Sequence, residues 1–383
     1  MPFAAALSTH PEPATAAGEV IGHVLDRVGR HPDLALVFVT PAHSGAIAEV
    51  AAAVRELLAP TVLLGCAAES VVGTGQEVER GPAISLWAGL TGPVVPLRLW
   101  DDMGPEGPQV GGWPAAPPFE AQAALVLADP FSFPVDALLQ GLSERHPGLP
   151  VLGGMASAGR APGASRLVLD EAIQTDGAVG ALIGPGIRLT PVVSQGCRPI
   201  GRPLVVTRAE ANIIYELAGE PALERLVEMA RGGMPERDIL LINQGLHIGL
   251  VIDEHQTEFT RGDFLVRNVL GADQENGAMA VGDRVDVGTT VQFHVRDAEA
   301  ADEDLRELLA PRRADAALLF SCNGRGTNLF PGPHHDAKVV GELLDDPPLA
   351  GFFAAGELGP VGSRNFLHGF TASLALFEEP VGR

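Results

Sequence analysis

The chain has 383 residues, 46% apolar and 19% charged, which supports a sizeable globular core and predicts two domains rather than one. Lys plus Arg total 26 against 48 Asp plus Glu, and a net charge of −22 repels phosphate backbones and anionic lipid, so nucleic-acid and membrane partners are excluded classes. Only three cysteines occur, Cys66, Cys197 and Cys322, with no Cys-x-x-Cys, which excludes a disulfide scaffold or zinc knuckle and points to a reducing cytoplasm.

A short helix is predicted over about 14–30, in an N-terminal segment 1–30 that lacks the basic start of a signal peptide. From there a weak internal repeat runs strand, helix, strand, small-residue turn, strand. The first copy has strands at 33–39, 62–69 and 83–88 with a helix over 44–58. The apolar run 81–97 carries Pro82, Pro93 and Pro96, so it reads as strand, turn, strand rather than a membrane span. A Pro- and Gly-rich loop follows over 104–118. The second copy has strands at 123–128, 151–157 and 177–183 with a helix over 135–145. The third has strands at 315–320, 351–357 and 370–377 with a helix over 336–344. Continuous apolar runs of this kind suit strands covered on both faces.

A different pattern separates copies two and three. Helices are predicted over 208–216 and 221–229, paired strands over 239–243 and 246–252, further strands over 263–270 and 289–296, and an acidic helix over 298–309. The predicted fold class is α/β (mixed α+β): two domains, 31–205 and 206–383, whose mixed sheets are flanked by helices and built from related strand–helix–strand units.

The last 65 residues carry the chemistry. They contain Phe320-Ser-Cys322-Asn323-Gly324-Arg325-Gly326, His334-His335-Asp336, Gly351-Phe-Phe-Ala-Ala-Gly356-Glu357-Leu-Gly-Pro-Val-Gly362 and Asn365-Phe-Leu-His368-Gly-Phe-Thr371. Seven of the fifteen Phe lie here, at 320, 330, 352, 353, 366, 370 and 377, and are expected to wall a ligand pocket. The expected ligand-binding set is Cys322, Asn323, Gly324, Arg325, His335, Asp336, Glu357, Asn365 and His368, with Glu69 from the N-terminal half. For a free amino acid, the Arg325 fork would clamp the carboxylate and Glu357, Asp336 or Glu69 would accept the ammonium. No residue set has metal-ligand spacing, so no metal is expected. Two other readings stay open. Haem would need an axial ligand from His334, His335, His368 or Cys322. A thiol-dependent enzyme would use Cys322 as nucleophile, although His335 and Asp336 are neighbours whose side chains diverge on a helix.

These motifs, together with Gly65-Cys-Ala-Ala-Glu69, Gly81-Pro-Ala-Ile-Ser, Phe131-Ser-Phe and Gly153-Gly154, resemble the FIST family, named for F-box and intracellular signal transduction proteins. The likeness spans about 33–377. It implies a non-catalytic sensory module for small ligands such as amino acids, a separate signalling protein such as a sensor kinase as partner, and, for some members, haem-based nitric-oxide sensing. No F-box helix pattern precedes residue 33.

Overall fold

The computed structural model describes residues 2–104 and 107–380. Within them the chain forms two compact units. The first comprises Met1–Ser194, Leu305–Leu367 and Thr371–Arg383, and the second Gln195–Asp304 with His368–Phe370. The first unit is a threefold repeat. Repeat one runs β1 (Phe3–Ser8), α1 (Pro13–Val28), β2 (Leu34–Val39), α2 (Ile47–Leu57), β3 (Val62–Ala67), a hairpin of β4 (Val71–Gly73) and β5 (Gln76–Val78), then β6 (Ile84–Gly89). Repeat two runs β7 (Val94–Gly104) paired with β8 (Gly107–Gly111), β9 (Ala123–Ala128), α3 (Val135–Arg145), β10 (Val151–Met155), a hairpin of β11 (Leu167–Leu169) and β12 (Ala172–Gln174), then β13 (Ala178–Ile183). The loop expected over 104–118 is therefore partly strand, and its residues 105–106 lie outside the described set.

Repeat three opens with β14 (Arg188–Ser194) and is then interrupted by the second unit. The inserted elements are β15 (Cys197–Glu210), β16 (Ile213–Leu217), β17 (Glu220–Pro221), α4 (Ala222–Arg231), α5 (Glu236–Gln244), β18 (Leu246–Val251), β19 (Phe264–Ala272), β20 (Met279–Val281) and β21 (Thr290–Arg296). The repeat resumes with α6 (Ala298–Leu309), β22 (Ala316–Cys322), α7 (His335–Leu344), β23 (Leu349–Ala354), a hairpin of β24 (Glu357–Val361) and β25 (Arg364–His368), then β26 (Ala372–Glu378). A single cut at 205/206 does not follow these units, because the C-terminal segment completes the repeat that β14 begins.

Each repeat builds one mixed sheet, and each sheet borrows its last hairpin from another repeat. The orders are β1-β6-β2-β3-β11-β12, β25-β24-β10-β9-β13-β7-β8 and β14-β26-β22-β23-β4-β5. The pairs β2/β3, β9/β10 and β22/β23 are parallel. Repeat two's hairpin thus extends sheet one, repeat three's extends sheet two, and repeat one's extends sheet three. Alternate strand residues from all three sheets, among them Phe38, Leu64, Leu127, Leu152, Val179, Phe320, Phe352 and Phe377, meet in one central core. The opposite faces are covered by helices: Val37 and Val39 by α1 and α2, Val126 by α3, and Leu319 by α6 and α7. Burial on both faces explains why strands such as Leu34–Val39 read as unbroken apolar runs.

In the second unit β15, β21, β18, β19, β20 and β16 pair in turn, and β15 also pairs with β16, so the antiparallel sheet closes on itself. Two expectations fail here. Residues 208–216 form a hairpin rather than a helix, turning at Ala211 with φ of 52°. Residues 239–243 are helical, not a strand: Glu236 and Asp238 lie in the first turn, and the Gly245 N–H closes the end on Leu241 and Ile242. These end signals outweigh the β-branched run.

Candidate functional site

One backbone position recurs at the carboxyl end of the first parallel strand of every repeat. The N–H groups of Thr40, Asp129 and Cys322 donate to the carbonyls of Ala83, Gly177 and Thr371 respectively. What each repeat places there differs. In repeat one Thr40 Oγ1 accepts from Ala83 N at 2.8 Å. In repeat two the buried Asp129 carboxylate accepts from Ser132 and Ser165 hydroxyls, both at 2.6 Å. Repeat three instead assembles a dense cluster of ionisable groups around Cys322.

Arg325 and Asp336 form its centre, 0% and 1% exposed. Arg325 Nε and Nη2 donate to the two Asp336 oxygens at 2.8 Å each. Ser321 Oγ donates to Oδ2 at 2.9 Å, and His335 Nδ1 lies 2.9 Å from Oδ1. Burial opposes the Asp336 charge, but the Arg325 guanidinium and these hydrogen bonds hold its carboxyl well below the usual carboxylate range. Its place in the first turn of α7 favours the anion further. The His335 ring stacks on Phe330 with centroids 3.4 Å apart, and Arg325 Cζ sits 5.2 Å from that ring's centroid.

Two further carboxyls behave oppositely. Glu357 is 0% exposed and accepts from Thr371 N at 3.1 Å and Thr371 Oγ1 at 2.9 Å. Burial pushes it up to about 8, against the pull of the Thr371 bonds and of a hydrogen bond with the Cys322 thiol. Glu77, from the hairpin that repeat one lends to sheet three, accepts from Ala337 N at 2.9 Å and so caps α7. Burial, then the Asp336 charge, push it to about 8. Next to it, Glu79 accepts from Thr327 N at 3.0 Å, and Gly326 has a φ of 57°, the left-handed region that favours glycine. The Cys322 sulfur is half-buried and accepts from Gly324 N at 3.4 Å. Four buried polar atoms in this region have no hydrogen-bond partner in the protein: Arg325 Nη1, Glu357 Oε1, Glu77 Oε2 and Asn323 Oδ1.

Of the residues expected from sequence, Cys322, Gly324, Arg325, His335, Asp336 and Glu357 come together, with Asn323 on the same loop. Asn365 does not join them. Its Oδ1 accepts from Val151 N and its Nδ2 donates to Leu149 O, both at 2.8 Å, which anchors the entry to β10. Glu69 pairs with Arg160 at the surface. His368 belongs to the second unit. The edge of Arg325 expected to grip a ligand faces Asp336 instead. The aromatic residues expected as pocket wall mostly fill the core: Phe320, Phe352 and Phe377 lie among the three sheets, and Phe353 packs beneath the helices of repeat three. Sequence reading missed Glu77, Glu79, Ser321 and Thr371 as site residues; Phe330, expected as pocket wall, is in the cluster. Thr371 closes the last motif and was within reach, whereas Glu77 arrives from a hairpin 260 residues before its partner Ala337 and leaves no local signal.

These surroundings do not fit haem. His335 Nδ1 lies 2.9 Å from Asp336 Oδ1 and its ring is covered by Phe330, and His334 Nδ1 accepts from Glu77 N at 3.0 Å, so neither Nδ1 is free to ligate iron. Among the described residues no cluster of His, Cys, Asp and Glu is arranged to hold a metal ion. A cleft of about 880 Å³ elsewhere on the first unit is lined by Ile187, Arg313, Asp315, Glu378 and Glu379. None of the cluster's residues lines it, and it has none of the buried, unpartnered groups.

The fold and cluster together define an α/β protein with three pseudo-equivalent strand ends, one of them specialised for polar chemistry. The chain belongs to the FIST family, its residues 33–220 matching the FIST N domain and 222–360 the FIST C domain. This family is associated with sensing in signal transduction. The chain is 43% identical to the uncharacterized protein Rv0628c of Mycobacterium tuberculosis over 97% of its own length and 98% of that protein. It is also 43% identical to the uncharacterized protein Mb0898c of Mycobacterium bovis, over 96% and 97%. No helix among the described residues is long and apolar enough to cross a membrane.

Proposed function

We propose that the chain is a non-catalytic small-ligand sensor whose site is the polar cluster at the end of β22. The observation that carries this reading is the set of buried, unpartnered atoms of opposite character within one cluster. Arg325 Nη1 is a donor suited to a carboxylate, and an incoming ammonium would draw the protons off Glu357 and Glu77, whose Oε1 and Oε2 would then accept from it. That pairing matches an amino acid, with Asn323 Oδ1 as a further acceptor. Asp336 holds Arg325 in place rather than competing for the ligand. The response then passes to a separate signalling protein, in the cytoplasm.

Amino acids screened against the native full-length protein should raise its unfolding temperature at millimolar concentration. Glu357→Gln, of nearly the same shape, should abolish that increase while preserving the fold. A screen with no stabilising amino acid, or an undiminished increase in the variant, would remove the assignment.

A further inference from the structure

We propose that Cys322 is a peroxide-reactive thiol, with Glu357 as its proton partner and Arg325 Nη1 as the donor that polarises the peroxide. This goes beyond ligand binding, because it gives the cluster a covalent step. Four observations converge on it. Cys322 is hydrogen-bonded to Glu357, and its sulfur accepts the Gly324 N–H at 3.4 Å. The Cys322 and Arg325 charges interact, so the two groups belong to one electrostatic cluster. Arg325 Nη1 and Glu357 Oε1 are buried and have no partner in the protein. Neither of the other two repeats has a thiol at the equivalent strand end, where Thr40 and Asp129 stand.

The chemistry needs three things: a thiolate, a proton for the leaving oxygen, and a donor on the peroxide. In the molecules that carry Glu357 ionised, an appreciable fraction near pH 8, Cys322 Sγ passes its proton to that carboxylate. A carboxyl raised to about 8 is a far stronger base than an ordinary one at 4.5, which suits it to take a thiol proton. Sulfur then attacks the hydroxyl oxygen of a hydroperoxide. The O–O bond breaks, its electron pair leaves on the other oxygen, and Glu357 returns the proton there. The products are Cys322 sulfenic acid and water, or an alcohol from an alkyl peroxide. Sulfur is oxidised, the peroxide is reduced, and Glu357 ends as it began. The half-buried position admits a small oxidant in preference to a bulky acyl substrate. Cys66 and Cys197 are 0% and 1% exposed, so neither is open to an oxidant from solvent.

The test treats the full chain with hydrogen peroxide in the presence of dimedone, which traps sulfenic acid, and maps the adduct by peptide mass spectrometry. Label is expected on Cys322 and on neither Cys66 nor Cys197. Glu357→Gln should slow trapping about 100-fold while unfolding at a temperature near the wild type. Should that variant fail to fold, the wild type decides alone: Cys322 must oxidise at least about tenfold faster in the native chain than in urea. Equal rates in the two states, no adduct on Cys322, or a wild-type rate in a folded Glu357→Gln protein would overturn the proposal. Two readouts on the wild type separate this from the sensor assignment: a dimedone adduct on Cys322 with no amino-acid-dependent stabilisation removes the sensor reading alone, and stabilisation with no adduct removes this proposal alone.

Discussion

Two buried carboxyls in one cluster, Glu77 and Glu357, are each raised to about 8, against an ordinary value of 4.5. In the unfolded chain both lose their protons near 4.5. These two carboxyls therefore hold about two more protons in the folded chain than in the unfolded one between those values, but burial lowers His247 and His294 to about 4, which offsets them below about 6.5, so stability falls as pH rises from about 6.5 to 8. Asp336 acts in the opposite direction, but only in strong acid, because its carboxyl is held far below the usual range. Urea midpoints should change little from about pH 5 to 6.5 and decline from about 6.5 to 8, and the double variant Glu77→Gln, Glu357→Gln should remove that decline. The chemistry-bearing residue types were legible in the sequence, since Cys322, Arg325, Asp336 and Glu357 all stood out from it. Their partnerships were not. Nothing in Asn323-Gly324-Arg325 says that the fork is locked onto Asp336, because that depends on how α7 starts relative to β22.

The strand–helix–strand units were readable because each parallel strand is buried on both faces and each helix carries one apolar stripe. The hairpins were not, since three-residue strands such as β4 and β11 hold too little pattern to separate from loops. Close approach within the parallel pairs was half visible as glycine. A Cβ on Gly351 would fall 1.8 Å from the Leu319 carbonyl oxygen, and on Gly65 2.2 Å from that of Val37. Gly351→Ala should therefore destabilise the protein by about 1–3 kcal/mol or more in chemical denaturation. Gly18 offers the control. It lies within α1, where an added methyl meets nothing within 4 Å, so Gly18→Ala should stabilise by about 0.5–1 kcal/mol.

For the whole molecule, the sequence signalled three related copies with a foreign region between the second and third. It did not signal that β14 belongs with the third copy, or that hairpins pass between copies, because a single chain does not display which sheet edge a short strand joins. The consequence is testable with fragments. Residues 1–205 contain two repeats, yet the β4–β5 hairpin then lacks β23, and sheet two lacks β24 and β25. That fragment should give a poorly dispersed amide NMR spectrum, whereas the intact first unit should unfold in one transition.

During synthesis the first-made hairpin must wait. Val72 finds its place opposite Gly351 only once most of the polypeptide has left the ribosome. Until then its edge is open to strangers, and folding cannot proceed copy by copy from the amino terminus. Glu77 travels on that same waiting hairpin. The charged cluster therefore completes itself among the final acts of assembly, and a nascent chain carries its cysteine without the neighbours that give the thiol its setting.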